Sequence, residues 1–231
     1  MNAARLPLVA GLALALCASD LRAQVTIIDE GSFTLSVAGE RVGREDFSIR
    51  STRSSAGISF VAQGTVLRGE VRLTVVLNFD STGTPLRFQA EQRDGPDVQE
   101  SYFGRRERGI WSGRAVRADG ESARELLFPG SAIAIDETIV HHLWLVMRFG
   151  RRDETLLIAP RTLSRRSARV EEVGEESVAL GLRELPARHW IVSDSAAGTL
   201  LWEIWTDSAG RLLRVLDPAS SLEALRDEPP A

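Results

Sequence analysis

Lysine is missing from the 231-residue chain, and cysteine occurs once, at Cys17. One cysteine cannot pair within the chain, so a disulfide scaffold is excluded. Without lysine there is no amine nucleophile and no Schiff-base chemistry. All 28 basic side chains are arginines, set against 32 acidic ones for a formal net charge of −4. A mildly acidic chain does not offer the dense positive footprint that nucleic acid requires, so no nucleic-acid partner is expected.

Long apolar runs are scarce too. The first, Leu6–Leu16, is about 11 residues, well short of the roughly 20 that a spanning helix needs. It follows Arg5 and precedes the small residue Ala23, the pattern of a secretory signal peptide. The expectation is a signal peptide over 1–23 and a single β-rich domain over 24–231, periplasmic or secreted, with no transmembrane segment in the mature chain. The alternative is a lipoprotein signal ending at Cys17, although Leu16 stands where such signals carry a small residue. Cleavage after Ala23 removes Cys17 and with it thiol catalysis and thiolate metal sites.

What remains reads as strands. From Gly31 to Phe128 apolar and polar residues alternate with period two, and turn residues recur every 8 to 12 positions. Val71, Leu73, Val75, Leu77 and Phe79 form one face of a strand, and Phe88 and Ala90 alternate with Arg87, Gln89 and Glu91 on the next. The period changes once: Asp136 is a good N-cap, and Ile139, Val140, Leu143, Val146 and Met147 follow at helical spacings towards Gly150. Strand periodicity then returns up to Arg226. The fold class is therefore mainly β, a curved antiparallel sheet or half-open barrel of roughly ten or more strands wrapped around one α-helix over 136–149.

Two segments resemble each other, Asp80–Arg87 and Asp207–Arg214, each between strands. Shared turn chemistry explains a match this short, and duplication of a β unit is the alternative. Glu171, Glu172, Glu175 and Glu176 around Val173-Gly174 read as a solvated hairpin tip. Arg105, Arg106 and Arg108 read as a basic sheet rim.

No catalytic signature is present. Gly109-Ile110-Trp111-Ser112-Gly113 has the wrong spacing for a nucleophile elbow, and neither a phosphate loop nor an H-E-x-x-H motif occurs. His141 and His142 are adjacent on the helix and point about 100 degrees apart, so they do not converge on one ion; His142 is the more inward of the two. An enzyme would have to use one of them with a carboxylate such as Glu137. No catalytic residue, metal site or cofactor is expected. The aromatic residues are more informative, because a curved sheet around a helix encloses apolar space that side chains or a ligand must fill. The candidate lining is Phe60, Phe88, Tyr102, Trp111, Trp144 and Met147.

Gly39–Phe47, the Asp-x-x-Gly hairpins, His141-His142-Leu143-Trp144 and Trp205–Arg214 together resemble an uncharacterised family of exported bacterial β-rich proteins. Their layout is similar to that of the lipoprotein carriers LolA and LolB. That resemblance implies a half-open antiparallel barrel that holds acyl chains beneath helices, and it carries over no site residue. The expected function is non-enzymatic binding of a lipid or other hydrophobic envelope molecule. The alternative is a structural or adaptor protein of a cell-envelope complex, pairing with a protein partner through a sheet edge.

Overall fold

The computed structural model of the chain describes residues 24–55, 57–130 and 132–230. The expected signal peptide and Cys17 lie outside the described residues. The first half of the domain is a run of hairpins: β1 (Gln24–Val37), β2 (Glu40–Ser54), β3 (Gly57–Arg68), β4 (Val71–Asp80), β5 (Pro85–Asp94), β6 (Asp97–Glu107), β7 (Ile110–Arg117) and β8 (Gly120–Leu127). After β9 (Ile133–Ala134) the chain turns inward and returns as β10 (Thr155–Ala159), β11 (Ser164–Leu180), β12 (Arg183–Asp194), β13 (Leu200–Thr206), β14 (Leu212–Asp217) and β15 (Leu222–Arg226). All belong to one sheet, in the order β8-β7-β6-β5-β4-β3-β2-β1-β15-β14-β13-β12-β11-β10-β9. The first and last strands are thus neighbours in the middle, and the middle of the chain supplies both edges. The sheet is curved and unclosed, and the fold is mainly β, as the alternation predicts.

The concave face is the core. Alternate residues of β1 to β7 point into it, among them Phe33, Ile49, Leu77, Phe88 and Trp111, all at most 1% exposed. The space they enclose is filled by the segment between β9 and β10. This segment is less helical than its spacing predicts: a 3-10 turn at Val140–His142 is followed by an α-helix, α1, of only seven residues, Leu143–Phe149. Asp136 is not its N-cap. Its carboxylate closes a preceding turn, accepting from Thr138 N at 3.1 Å and Thr138 Oγ1 at 2.6 Å. β-branched Ile139 and Val140 are poor helix formers, and both are buried in the core. The expected end does hold, because Gly150 N–H closes the helix on Val146 O.

The four glutamates 171, 172, 175 and 176 are not a tip. They lie within β11, which bulges between Glu172 and Gly174, and the tip is at Gly181-Leu182, where Leu182 is fully exposed. Beyond the bulge the β11–β12 hairpin contributes Val178, Leu180 and Ala187 to a second, smaller cluster with Trp205 and Leu213. There the His189 ring stacks on Trp205 with centroids 4.3 Å apart, between Glu176 and Glu203. A strand with carboxylates on both sides of a bulge loses its alternation, which is why the periodicity misleads.

The two similar segments form the same turn. Asp80 Oδ1 accepts from Thr82 N and Thr84 N, and Asp207 Oδ1 accepts from Ala209 N and Arg211 N. Gly83 and Gly210 carry φ of 82° and 79°, a region open to glycine. Turn chemistry accounts for the match.

Candidate functional site

The six aromatic and sulfur side chains expected to line a ligand space all belong to the core or pack against it. Phe60 stacks on Phe79 at 5.2 Å and approaches Trp144 at 6.5 Å, while Phe88 meets Tyr102 at 5.8 Å. Trp111 lies 5.6 Å from Phe128 and donates its indole N–H to the Tyr102 hydroxyl at 2.9 Å. Phe60 and Met147 are half-buried and the other four are buried. The six form two groups, one around α1 and one behind Tyr102.

Between the groups lies a polar centre that the sequence does not announce. Glu45, fully buried on β2, accepts from Val140 N, His141 N and His141 Nδ1, each at 2.8 Å. A carboxylate from another element thus takes up N–H groups at the start of the 3-10 turn, as an N-cap side chain otherwise would. Glu45 is in phase with buried Phe47 and Ile49, so a carboxylate on the apolar face of a strand was the available signal. Its bond with His141 Nδ1 requires the proton there. His142 does the opposite, because Asp136 N donates to its Nδ1 at 3.0 Å, which leaves its proton on Nε2. Both histidines are fully buried, so His142 is not the more inward one, and neither Nε2 has a partner among the described residues. Burial, reinforced by His141 alongside, holds His142 well below the ordinary imidazole range, against the opposing pull of Asp136. Gly64 makes the room: a Cβ there would stand 2.6 Å from His141 Cε1.

Glu137 does not meet these histidines. It faces Arg166 at 3.6 Å. Nor is the Glu45–His141 pair placed for chemistry on a solute, since both groups are 0% exposed. Among the described residues no group of three or more His, Cys, Asp or Glu side chains could hold a metal ion.

Asp136 connects this centre to the rim. Burial pushes its carboxyl up, but the charge of Arg161 and the hydrogen bonds from Thr138 and Arg161 outweigh that and hold it low. Arg161 Nε donates to Asp136 Oδ2 at 2.8 Å, and its Nη1 lies 3.9 Å from Glu100. Arg161 belongs to the turn between β10 and β11, which crosses to the far limb of the sheet. Tyr102 OH donates to Pro160 O at 3.0 Å, and Arg165 Nη2 to Leu127 O at 3.2 Å. The seam where the sheet fails to close is therefore bridged by side chains. Beside these bridges is a cleft of about 450 Å³, bordered by Tyr102, Ala115, Arg117, Arg124, Arg161 and Leu163. Of the six expected lining residues, Tyr102 borders it and Phe88 and Trp111 stand directly behind.

The fold has a counterpart of known structure. A β-barrel-like protein of the domain of unknown function DUF1849 from Brucella abortus superposes with a TM-score of 0.50 at 10% sequence identity, over 85% of this chain and 93% of that one. The likeness is one of fold. No family model and no curated protein matches the chain. Among the described residues no helix is long and apolar enough to cross a membrane.

The basic rim is dispersed. Arg105 faces Glu107 at 3.2 Å, Arg106 Nε donates to Phe128 O at 3.3 Å, and Arg108 occupies a turn with φ of 50°. These three arginines serve different neighbours and do not converge.

Proposed function

We propose that the protein is an exported, non-enzymatic binding module for a lipid or another hydrophobic molecule of the cell envelope, working in the manner of the LolA and LolB carriers. The observation that carries this reading is the unclosed seam: a cleft of about 450 Å³ at the one join held by side chains, with an apolar concave face behind it. The cleft itself is polar, bordered by Arg117, Ser122, Arg124 and Arg161, and the apolar residues stand behind Tyr102; polar groups at the mouth of an apolar interior suit a ligand with a polar head and an apolar chain. An acyl chain gains about 0.8 kcal/mol per buried methylene, so even partial entry is worthwhile. Tyr102 would be the first of the six lining residues met; Phe88 and Trp111 lie next, and Phe60, Trp144 and Met147 are reached only if α1 yields. Native mass spectrometry of protein purified from its own envelope should show a retained hydrophobic adduct, diminished by Ala115→Trp at the cleft. A mass equal to the bare chain under gentle ionisation, in protein never exposed to detergent, would overturn the reading. Export itself predicts a mature N-terminus at Gln24, read by intact mass.

One observation favours a second reading, an envelope adaptor. β8 is an edge strand exposed at every residue but half-buried Leu126, and its outer main-chain groups face no neighbouring strand. Such an edge can accept a strand from a protein partner. Ser122→Pro on β8 would abolish partner co-purification under this reading and leave it unchanged otherwise.

A further inference from the structure

One arginine on the concave side is left without a counter-charge. Arg68 ends β3, its Nε is buried, and it has neither a hydrogen bond nor an ion pair among the described residues. It borders a small pocket of about 140 Å³, separate from the seam cleft but sharing Arg161 as a wall. Val66, Val71 and Leu73 form its apolar side; Gln92 and Thr138 complete it.

The charges decide what fits. Arg161 is already engaged, with Asp136 at 2.8 Å and Glu100 at 3.9 Å. Thr138 Oγ1 donates to Asp136, and Gln92 Oε1 accepts from Arg161 at 3.5 Å. That leaves the Arg68 guanidinium and the Gln92 amide nitrogen as donors without partners. One negative charge would balance Arg68. A phosphate dianion would bring a second, with Asp136 and Glu100 close behind Arg161 to repel it. A guanidinium fork matches a carboxylate, and a cavity of about 150 Å³ admits a benzene-sized apolar group.

We propose that this pocket binds a compact monocarboxylate, its carboxylate on Arg68 and Gln92 and its apolar part against Val66, Val71 and Leu73. The site stands apart from the lipid reading, which concerns the seam cleft and is tested on retained adducts.

The test is a titration of ¹⁵N-labelled full-length protein with sodium benzoate at constant ionic strength, followed by amide shifts. Saturable shifts are expected for residues 66–73, Gln92 and Thr138. Because the bond is charge-assisted, Arg68→Met should weaken binding by about tenfold or more, and the neutral isostere benzamide should bind more weakly by a similar factor. Arg124→Met, in the neighbouring cleft, should leave benzoate binding unchanged. Unaltered affinity in Arg68→Met, equal binding of benzamide, preference for inorganic phosphate, or no saturable shift with benzoate each overturns the proposal. Should Arg68→Met fail to fold, Arg68→Lys replaces it: the charge remains but the fork is lost, so weakened binding supports the site and wild-type affinity overturns it.

Discussion

The curved sheet has two joins, and they are made differently. At the first, β1 and β15 pair through a main-chain ladder from Phe33↔Arg226 to Val37↔Leu222. Arg226 there donates to both oxygens of Asp29, at 3.0 and 2.8 Å, and also to the carbonyls of Leu212, Glu30 and Glu228. At the second, β8 and the β9–β11 limb share no ladder and are held by Tyr102, Arg161 and Arg165. A buried charge is tolerable when its donors are used and costly when they are not. The first join meets that condition and is permanent. The second relies on side chains alone, Tyr102 and Arg161 at the turn 160–163 and Arg165 on β11, and so is expected to be the weaker of the two.

Breaking the first join should have the largest effect. Arg226→Met leaves Asp29 buried without its partner and should cost about 3–5 kcal/mol in chemical denaturation, much of it recovered in Asp29→Leu/Arg226→Met. Next is the anchor of the inner segment. Glu45→Ala removes the acceptor for two main-chain N–H groups and one imidazole, with an expected loss of about 3 kcal/mol; a loss under about 0.5 kcal/mol would mean that the segment is held by apolar packing alone.

A pH scan sharpens the comparison further. The His142 imidazole is held low when folded, so below about 6.5 the unfolded chain binds a proton that the folded one refuses. Stability is full above that pH and falls as pH drops, by up to about 1.4 kcal/mol per pH unit for one proton. His142→Asn, which keeps an acceptor for Asp136 N, should flatten the scan between pH 6.5 and 5.

At the second join, Tyr102→Phe deletes the bond to Pro160 O and the acceptor for Trp111 Nε1. About 1–2 kcal/mol should be lost, and hydrogen exchange should quicken in β8 before it does in β1. The smallest change is expected at Arg68. Arg68→Met removes a cation that nothing in the fold requires, and its midpoint should move by no more than about 0.5 kcal/mol. Two arginines that both face the concave side would then differ several-fold in what they contribute, which is the clearest measure of how the two sites differ.

The sequence made much of the sheet legible. In β4, Leu73, Val75, Leu77 and Phe79 are buried because one face is dry, so the period survives. The polar centre was hidden for a geometric reason: Glu45 and Val140 are 95 residues apart, and neither local spacing nor helix-cap rules reach across that distance. Asp136 misled because a capping residue also closes ordinary turns. The six expected lining residues all lie in the core or against it, but their mutual stacking could not be read from alternation, which gives direction and not depth.

Because β15 is the strand that pairs with β1, Arg226 must find Asp29 at a sequence separation of 197. Closing so large a loop is entropically unfavourable until the sheet around it exists, and folds dominated by distant pairings assemble slowly. A nascent chain can stack its first eight strands hairpin by hairpin, yet β1 remains unpaired on one side until β15 emerges. Loss of β15 would therefore leave Phe33 and Leu35 on a raw, adhesive edge, and the truncated product should be a substrate for chaperones and proteases rather than a weakened version of the whole.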